Sequence, residues 1–272
     1  MKTELIQMEH IQEVQSNLIG FLESSTPEIL IQVLILCSDK YYNTNEALIT
    51  DEEYDRVYEK LQEIDPNNPY LEQVGADVEG EKVELPYWIG SMNKKKTKEE
   101  VNKWIPKYPG EVVISDKLDG KSFILDIKDG NPKLYSRGNG NLGKDISYLL
   151  KYIKIPKLEG NYILRGEILI SKTNFKRIKT NAANSRSFIA GISNLKKIDK
   201  DKSHDLKLVD LICFEVISPE MKPSEQFSFL KETGFKVVFN QINPEISFES
   251  LQEILKSRKE NSEYDIDGII VC

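Results

Sequence analysis

No stretch of this sequence stays apolar for long. The longest such run, Val33 to Cys37, falls far short of the roughly 20 residues a membrane-spanning helix needs. The opening Met1-Lys2-Thr3-Glu4 brings an acid early, and no signal-peptide core follows it. Cysteine is scarce. Cys37, Cys213 and Cys272 are odd in number and far apart, which argues against both a disulfide framework and a zinc knuckle. A reducing, cytoplasmic compartment is therefore expected. Positive charge is not in excess either: the net charge of −7 argues against a protein that coats nucleic acid unspecifically. Three basic patches (Lys94-Lys95-Lys96, Lys176-Arg177-Ile178-Lys179 and Lys196-Lys197) read either as solvated surface or as phosphate contacts. Internal repeats and low-complexity segments are lacking.

What is present is an ordinary globular composition, 39% hydrophobic and 30% charged, in 272 residues, enough for one large or two smaller domains. Leu5, Met8, Ile11, Val14, Leu18 and Phe21 recur near helical period. Thr26-Pro27 then suits the cap and first position of a second, buried helix reaching about Lys40. Thr50 and Glu53 form a capping box. In the helix it opens, Asp51, Tyr54, Asp55 and Tyr58 fall on one face. Two acids and two tyrosines on one stripe, preceded by Tyr41 and Tyr42, could stack on and hydrogen-bond a flat cationic ring. The same tyrosines could equally pack on neighbouring helices. Asp65-Pro66-Asn67-Asn68-Pro69 ends the helix and marks a boundary, after which short β-like runs take over. The reading is α+β, with a helical unit over 1–70 and a larger domain over 71–272.

In that larger part Lys117, Asp119 and Gly120 sit between two apolar runs, Val112-Val113-Ile114 and Phe123-Ile124-Leu125. Two buried strands joined by a short charged turn would present Lys117 at the mouth of a sheet. A lysine so placed can act as a nucleophile in its neutral form. Taken alone, the eight residues from Ser115 to Ser122 also read as an ordinary hairpin turn. Arg137-Gly138-Asn139-Gly140 follows a further strand, and its glycines would permit close backbone approach to a ligand. Glu167, after Arg165-Gly166, stands inside a strand-like run, where a carboxylate is costly unless paired or used. Asn184 to Gly191 opens a short helix, Leu208 to Val216 is a strong strand, and the last strand follows Asp267-Gly268.

Together these motifs resemble the adenylation part of the NAD-dependent DNA ligases. The order is that family's: Lys117-Leu118-Asp119-Gly120, then Ser136-Arg137-Gly138-Asn139-Gly140, then Arg165-Gly166-Glu167, then Asp267-Gly268-Ile269-Ile270-Val271, with Tyr41-Tyr42 and Asp51-Glu52-Glu53-Tyr54-Asp55 upstream. The resemblance implies a nucleotidyltransferase (ATP-grasp-like DNA ligase) domain of mixed, largely antiparallel sheets flanked by helices, behind a helical subdomain that binds nicotinamide mononucleotide. It implies that Lys117 attacks the α-phosphate of NAD and carries AMP, assisted by Asp119, Arg137 and Glu167. Tyr41, Tyr42, Asp51, Tyr54 and Asp55 would hold the mononucleotide. Ser91, Met92, Ser115, Asp116, Leu118, Ile270 and Cys272 would line the nucleotide pocket. Arg186 would meet the nicked strand. Magnesium is implied as a cofactor, without a protein-built metal site, and nicked duplex DNA as a weakly bound partner of a monomer.

The chain also departs from the family's pattern. Tyr42 replaces a histidine, Ser115 a glutamate that reads adenine, Asn139 an aspartate, Lys144 a glutamate, and Cys272 a lysine that activates the α-phosphate. Asp116 or backbone groups are then expected to take over the adenine contact. A thiol cannot supply the missing positive charge. The family's barrel, zinc and helix-hairpin-helix modules are not represented, so the resemblance implies an excised domain of a longer, divergent ligase of viral type. Two other readings remain: an ATP-dependent DNA or RNA ligase relative, and a catalytically weak nucleotide- or nick-binding module.

Overall fold

A computed structural model describes residues 2–41, 46–72, 81–90, 92–182, 184–193, 195, 198 and 200–272. Along the chain run α1 (Lys2–Ser24), α2 (Pro27–Asp39), α3 (Asp51–Ile64), β1 (Val83–Glu84) and α4 (Lys98–Trp104). Next come β2 (Val112–Leu118), β3 (Lys121–Lys128), β4 (Asn131–Ser136), β5 (Leu142–Gly143), β6 (Tyr162–Ile170), α5 (Lys172–Phe175) and α6 (Ser185–Ser193). The chain closes with α7 (Lys200–Asp205), β7 (Val209–Ser218), α8 (Pro223–Glu232), β8 (Asn240–Asn243), α9 (Phe248–Asn261) and β9 (Ile266–Val271). No helix of the described residues is long and apolar enough to cross a membrane.

Backbone contacts divide the chain into two compact units, 1–90 with 137–144, and 91–136 with 145–272. The boundary expected at residue 70 thus falls at Gly90. The reason is a small ladder. β1 pairs with β5, and the Leu85 and Ile89 amides donate to the Asn141 and Gly140 carbonyls. That ladder ties the glycine loop to the first unit.

The first unit's core is a three-helix cluster built on Leu30, Val33, Leu34, Val57 and Leu61, each at most 1% exposed. Helix α1 breaks at Asn17, whose side chain accepts from the Gly20 amide and restarts the helix. Helix α3 carries the capping box expected of Thr50 and Glu53.

The second unit layers two antiparallel sheets, β8-β2-β9 and β4-β3-β6-β7. Strand alternation sorts β2. Val112 and Ile114 turn toward α4 and α9, while Val113 packs with Leu169 and Ile212 of the second sheet. On the far face of that second sheet, Phe123, Leu125, Leu164 and Ile168 join Phe188 and Ile189 of α6 in the largest core. Each such buried side chain contributes about 1.5–3 kcal/mol relative to exposure. β4 is an edge strand, which is why Pro132 is tolerated inside it.

One expectation is corrected. β2 and β3 do not form a hairpin. They belong to different sheets, and Asp119-Gly120 is the crossing between them. The turn is short and charged, but partner choice is set by which face each strand buries, not by the loop.

Candidate functional site

Lys117 stands one residue before the end of β2, on the same side of the strand as Val113 and Ser115. The β2–β9 ladder shifts register there: Lys117 faces Gly268 and Leu118 faces Ile266, so Asp267 is the extra residue of a bulge. The bulge turns Asp267 onto the lysine, and Lys117 Nζ donates to Asp267 Oδ2 at 2.5 Å. Both side chains remain partly exposed, at 39% and 45%.

Beyond the lysine the chain crosses to the second sheet, and each residue of the crossing is fixed. The Asp119 amide donates to the Asp265 carbonyl, and its carboxylate takes a 2.8 Å bond from Arg186 Nη1 at the start of α6. Gly120 lies against β6: a Cβ there would come within 2.7 Å of the Ile168 carbonyl oxygen and 3.2 Å of Glu167 Oε2. No larger residue fits without moving backbone. Glu167 shares the face of Leu169 and is 9% exposed, and its Oε1 accepts from Ser122 Oγ at 2.5 Å. Ser122 and Glu167 are directly paired across β3 and β6. Gly166 is required too, because a Cβ would meet the Ile212 carbonyl and the Phe123 ring. Arg165, two residues before Glu167, bonds Glu215 at 3.3 Å and lies over Phe214.

The other expected residues fare differently. Asp116 is turned away from the lysine, as alternation along β2 requires. Its carboxylate, 2% exposed, receives both Nε and Nη2 of Arg258, each at 2.8 Å. The adenine contact expected of Asp116 is therefore corrected: the side chain is spent on an ion pair with α9. Leu118 is buried in the core between the sheets, so its contribution is packing. Ser115 is buried and paired with Ile270 and Asn240. Cys272 is solvent-accessible, and its backbone exchanges both hydrogen bonds with Val113. Partial desolvation, and then the Glu215 carboxylate, push its thiol up. Met92 is exposed, at 41%. Ser91 lies outside the described residues.

Arg137, Gly138 and Gly140 belong to the first unit. Gly138 and Gly140 adopt positive φ, and a Cβ on either would meet backbone, the Leu142 and Ile89 carbonyls respectively. Both glycines answer to this packing. Asn139 caps the same loop, accepting from the Leu142 amide at 2.9 Å.

On the helical unit, Asp51 is exposed at the first position of α3, and Asp55 is partly exposed one turn on. The Tyr54 hydroxyl joins Ser38 at 2.8 Å and Tyr70 at 3.3 Å, and the Tyr58 hydroxyl donates to the Leu71 carbonyl. The tyrosines therefore pack on the helices while the acids stay on the rim. Tyr41 is described; Tyr42 lies outside the described residues.

Sequence reasoning missed two residues. Asp267 was visible as the first residue of the last motif, but nothing in the sequence placed its carboxylate on Lys117, 150 residues away. Arg258 gave no signal, being one of several charges in the last turns of α9. Among the described residues no three histidine, cysteine or acidic side chains converge as metal ligands.

The family model described as the NAD-dependent DNA ligase adenylation domain matches residues 81–272. The chain is 45% identical over 246 residues to a DNA ligase of Acanthamoeba polyphaga mimivirus, covering 88% of this chain and 38% of that protein. A relative from Invertebrate iridescent virus 6 is 36% identical over 85% of this chain and 38% of its own length. A DNA ligase of Borrelia hermsii is 28% identical over 85% of this chain and 40% of its own. The chain thus spans about two-fifths of the length of these relatives. With the family model covering most of its length, the chain belongs to the NAD-dependent DNA ligase adenylation domain family.

Proposed function

We propose that this chain performs the self-adenylation step of an NAD-dependent DNA ligase. Lys117 Nζ, as the neutral amine, attacks the α-phosphorus of NAD. The N–P bond forms, the P–O bond to the bridging pyrophosphate oxygen breaks, and nicotinamide mononucleotide leaves with that electron pair. The amine's proton passes to Asp267, whose Oδ2 is already 2.5 Å from Nζ. Glu167, held by Ser122, and Asp119, held by Arg186, offer fixed acceptors for ribose hydroxyls or for orienting the lysine. In the helical unit, Asp51 and Asp55 together with Tyr41, Tyr42 and Tyr54 would recognise the cationic nicotinamide mononucleotide. Arg137 would offer its fork to ribose or phosphate oxygens. Arg186 reaches a DNA phosphate only after leaving Asp119. Magnesium would neutralise the phosphate charge.

One observation carries the reading: a partly exposed lysine paired with a bulged carboxylate, at the crossing between two sheets. The test is intact-protein mass spectrometry after incubation with NAD and with ATP side by side. A mass increase of one AMP from NAD, lost in Lys117→Ala, is the expected result. An adduct from ATP instead points to the ATP-dependent relatives. Cys272, whose thiol cannot supply the positive charge of a lysine, favours a second reading, a nucleotide-binding module of low reactivity. It predicts NAD binding by calorimetry with no covalent AMP. Sealing of nicked duplex DNA is a property proposed for the longer protein.

A further inference from the structure

Next to the reacting pair lies a buried pair that the chemistry leaves unused. Asp116 precedes Lys117 and points the opposite way, into the side-on fork of Arg258 from α9. Ser262 Oγ adds a third bond to the same carboxylate at 3.3 Å, and the Ser262 amide bonds back to the Arg258 carbonyl at 2.8 Å. The Arg258 guanidinium lies 4.0 Å over the Phe239 ring, and the Phe239 carbonyl accepts from the Asp116 amide at 3.2 Å. The closed ring joins β2, the end of α9, the segment entering β9, and the residue before β8.

Buried ion pairs of this kind contribute little net stability, because desolvation offsets the attraction. Their best-attested use is to fix register. Here there is a register to fix. Asp267 reaches Lys117 only because the β2–β9 ladder shifts between Lys117 and Leu118. A slip of one residue moves every side chain of a strand to its other face, which would put Ile266 or Gly268 in the bulged place of Asp267. We propose that Arg258 is a positioning residue, which with Asp116 and Ser262 sets the β2–β9 register and so aims Asp267 at Lys117. The proposal rests on the reading of Lys117 and Asp267 given above. One end of the clamp adjoins Lys117 in sequence, and the other, Ser262, lies between α9 and the start of β9. It therefore governs both partners of the pair without touching either.

The test uses the full chain carrying the double substitution Asp116→Leu/Arg258→Met, which replaces the pair with apolar groups. Arg258→Lys, which keeps the charge and loses the fork, serves if the double variant unfolds. The unfolding midpoint and the KM for NAD should stay at wild-type values while the rate of AMP addition falls at least tenfold. A wild-type rate in a variant of wild-type midpoint overturns the clamp. Asp267→Asn should cost much less in the double-variant background than in the wild type; equal losses in both backgrounds overturn it as well. A readout independent of NAD is acetylation of Lys117 by an N-hydroxysuccinimide ester, followed by peptide mass spectrometry. Release from Asp267 should raise labelling several-fold, and unchanged labelling refutes the proposal. If labelling rises but no AMP adduct forms even in the wild type, the clamp stands and the adenylation reading falls.

Discussion

Replacing Gly120 by alanine tests how tightly the crossing behind Lys117 is built. The added methyl would sit 2.7 Å from the Ile168 carbonyl oxygen, and 3.1 and 3.2 Å from Cβ and Oε2 of Glu167. The first of these atoms is backbone in the middle of β6, paired on both sides, so it cannot yield as a flexible side chain would. The crossing must instead lift off β6 by several tenths of an ångström. Overpacking of this kind costs about 1–3 kcal/mol. At about 2–4 °C per kcal/mol for a chain of this size, the unfolding midpoint should fall by roughly 2–12 °C. Because Lys117 and Asp119 flank the displaced turn, the rate of AMP addition should fall more than the midpoint predicts. Gly191→Ala is the control. Nothing lies within 4 Å of a Cβ at this exposed α6 position, so helix propensity alone should gain about 0.5–1 kcal/mol. Calorimetry or dye-monitored melting of the two variants decides the matter. If Gly120→Ala melts with the wild type and forms the adduct at its rate, the close contact of turn and strand is refuted.

Other outcomes follow from the same geometry. Cys37 and Cys213 are buried, with thiols pushed up to about 12 by desolvation, whereas Cys272 is accessible. An alkylating reagent applied to the native protein should therefore modify Cys272 and spare the other two until unfolding, as peptide mapping would show. Burial raises both Cys37 and Tyr70 in the helical unit, so the folded state holds their protons more tightly than the unfolded chain does. Their contribution to stability is full below about pH 9 and is lost as pH climbs toward about 12. Urea titrations at pH 8 and 10.5 should show that loss, and Cys37→Ala should reduce it. Thr50→Ala removes the hydroxyl that accepts from the Glu53 amide, while the backbone amide at position 50 keeps its bond to the Glu53 carboxylate; it should cost about 0.5–2 kcal/mol, read as a lower urea midpoint.

Helix starts and glycine turns were legible in the sequence because they are local. Thr50 and Glu53 satisfy each other within one turn. The motif residues Lys117, Asp119 and Glu167 were legible for a related reason: each sits at a strand end or in a strand whose apolar neighbours betray it. Even their glycines carried meaning, since Gly120 and Gly166 face backbone that no side chain could pass.

Tertiary structure alone decided what those residues meet. Whether β2 and β3 would pair with each other depended on which faces Val113 and Phe123 bury, and they bury them in different cores. The partner of Lys117 is 150 residues away, that of Asp116 is 142, and that of Asp119 is 67. A pattern of charges along a chain carries no record of such distances. Asp116 and Asp119 look alike in sequence, on either side of the same lysine. Strand alternation sends the first into a sealed ion pair with α9, while the crossing between the sheets leaves the second beside Arg186. The sequence by itself determined the local elements and the order of the motifs; the bulge at Lys117 and the packing of two sheets decided which of their residues face one another.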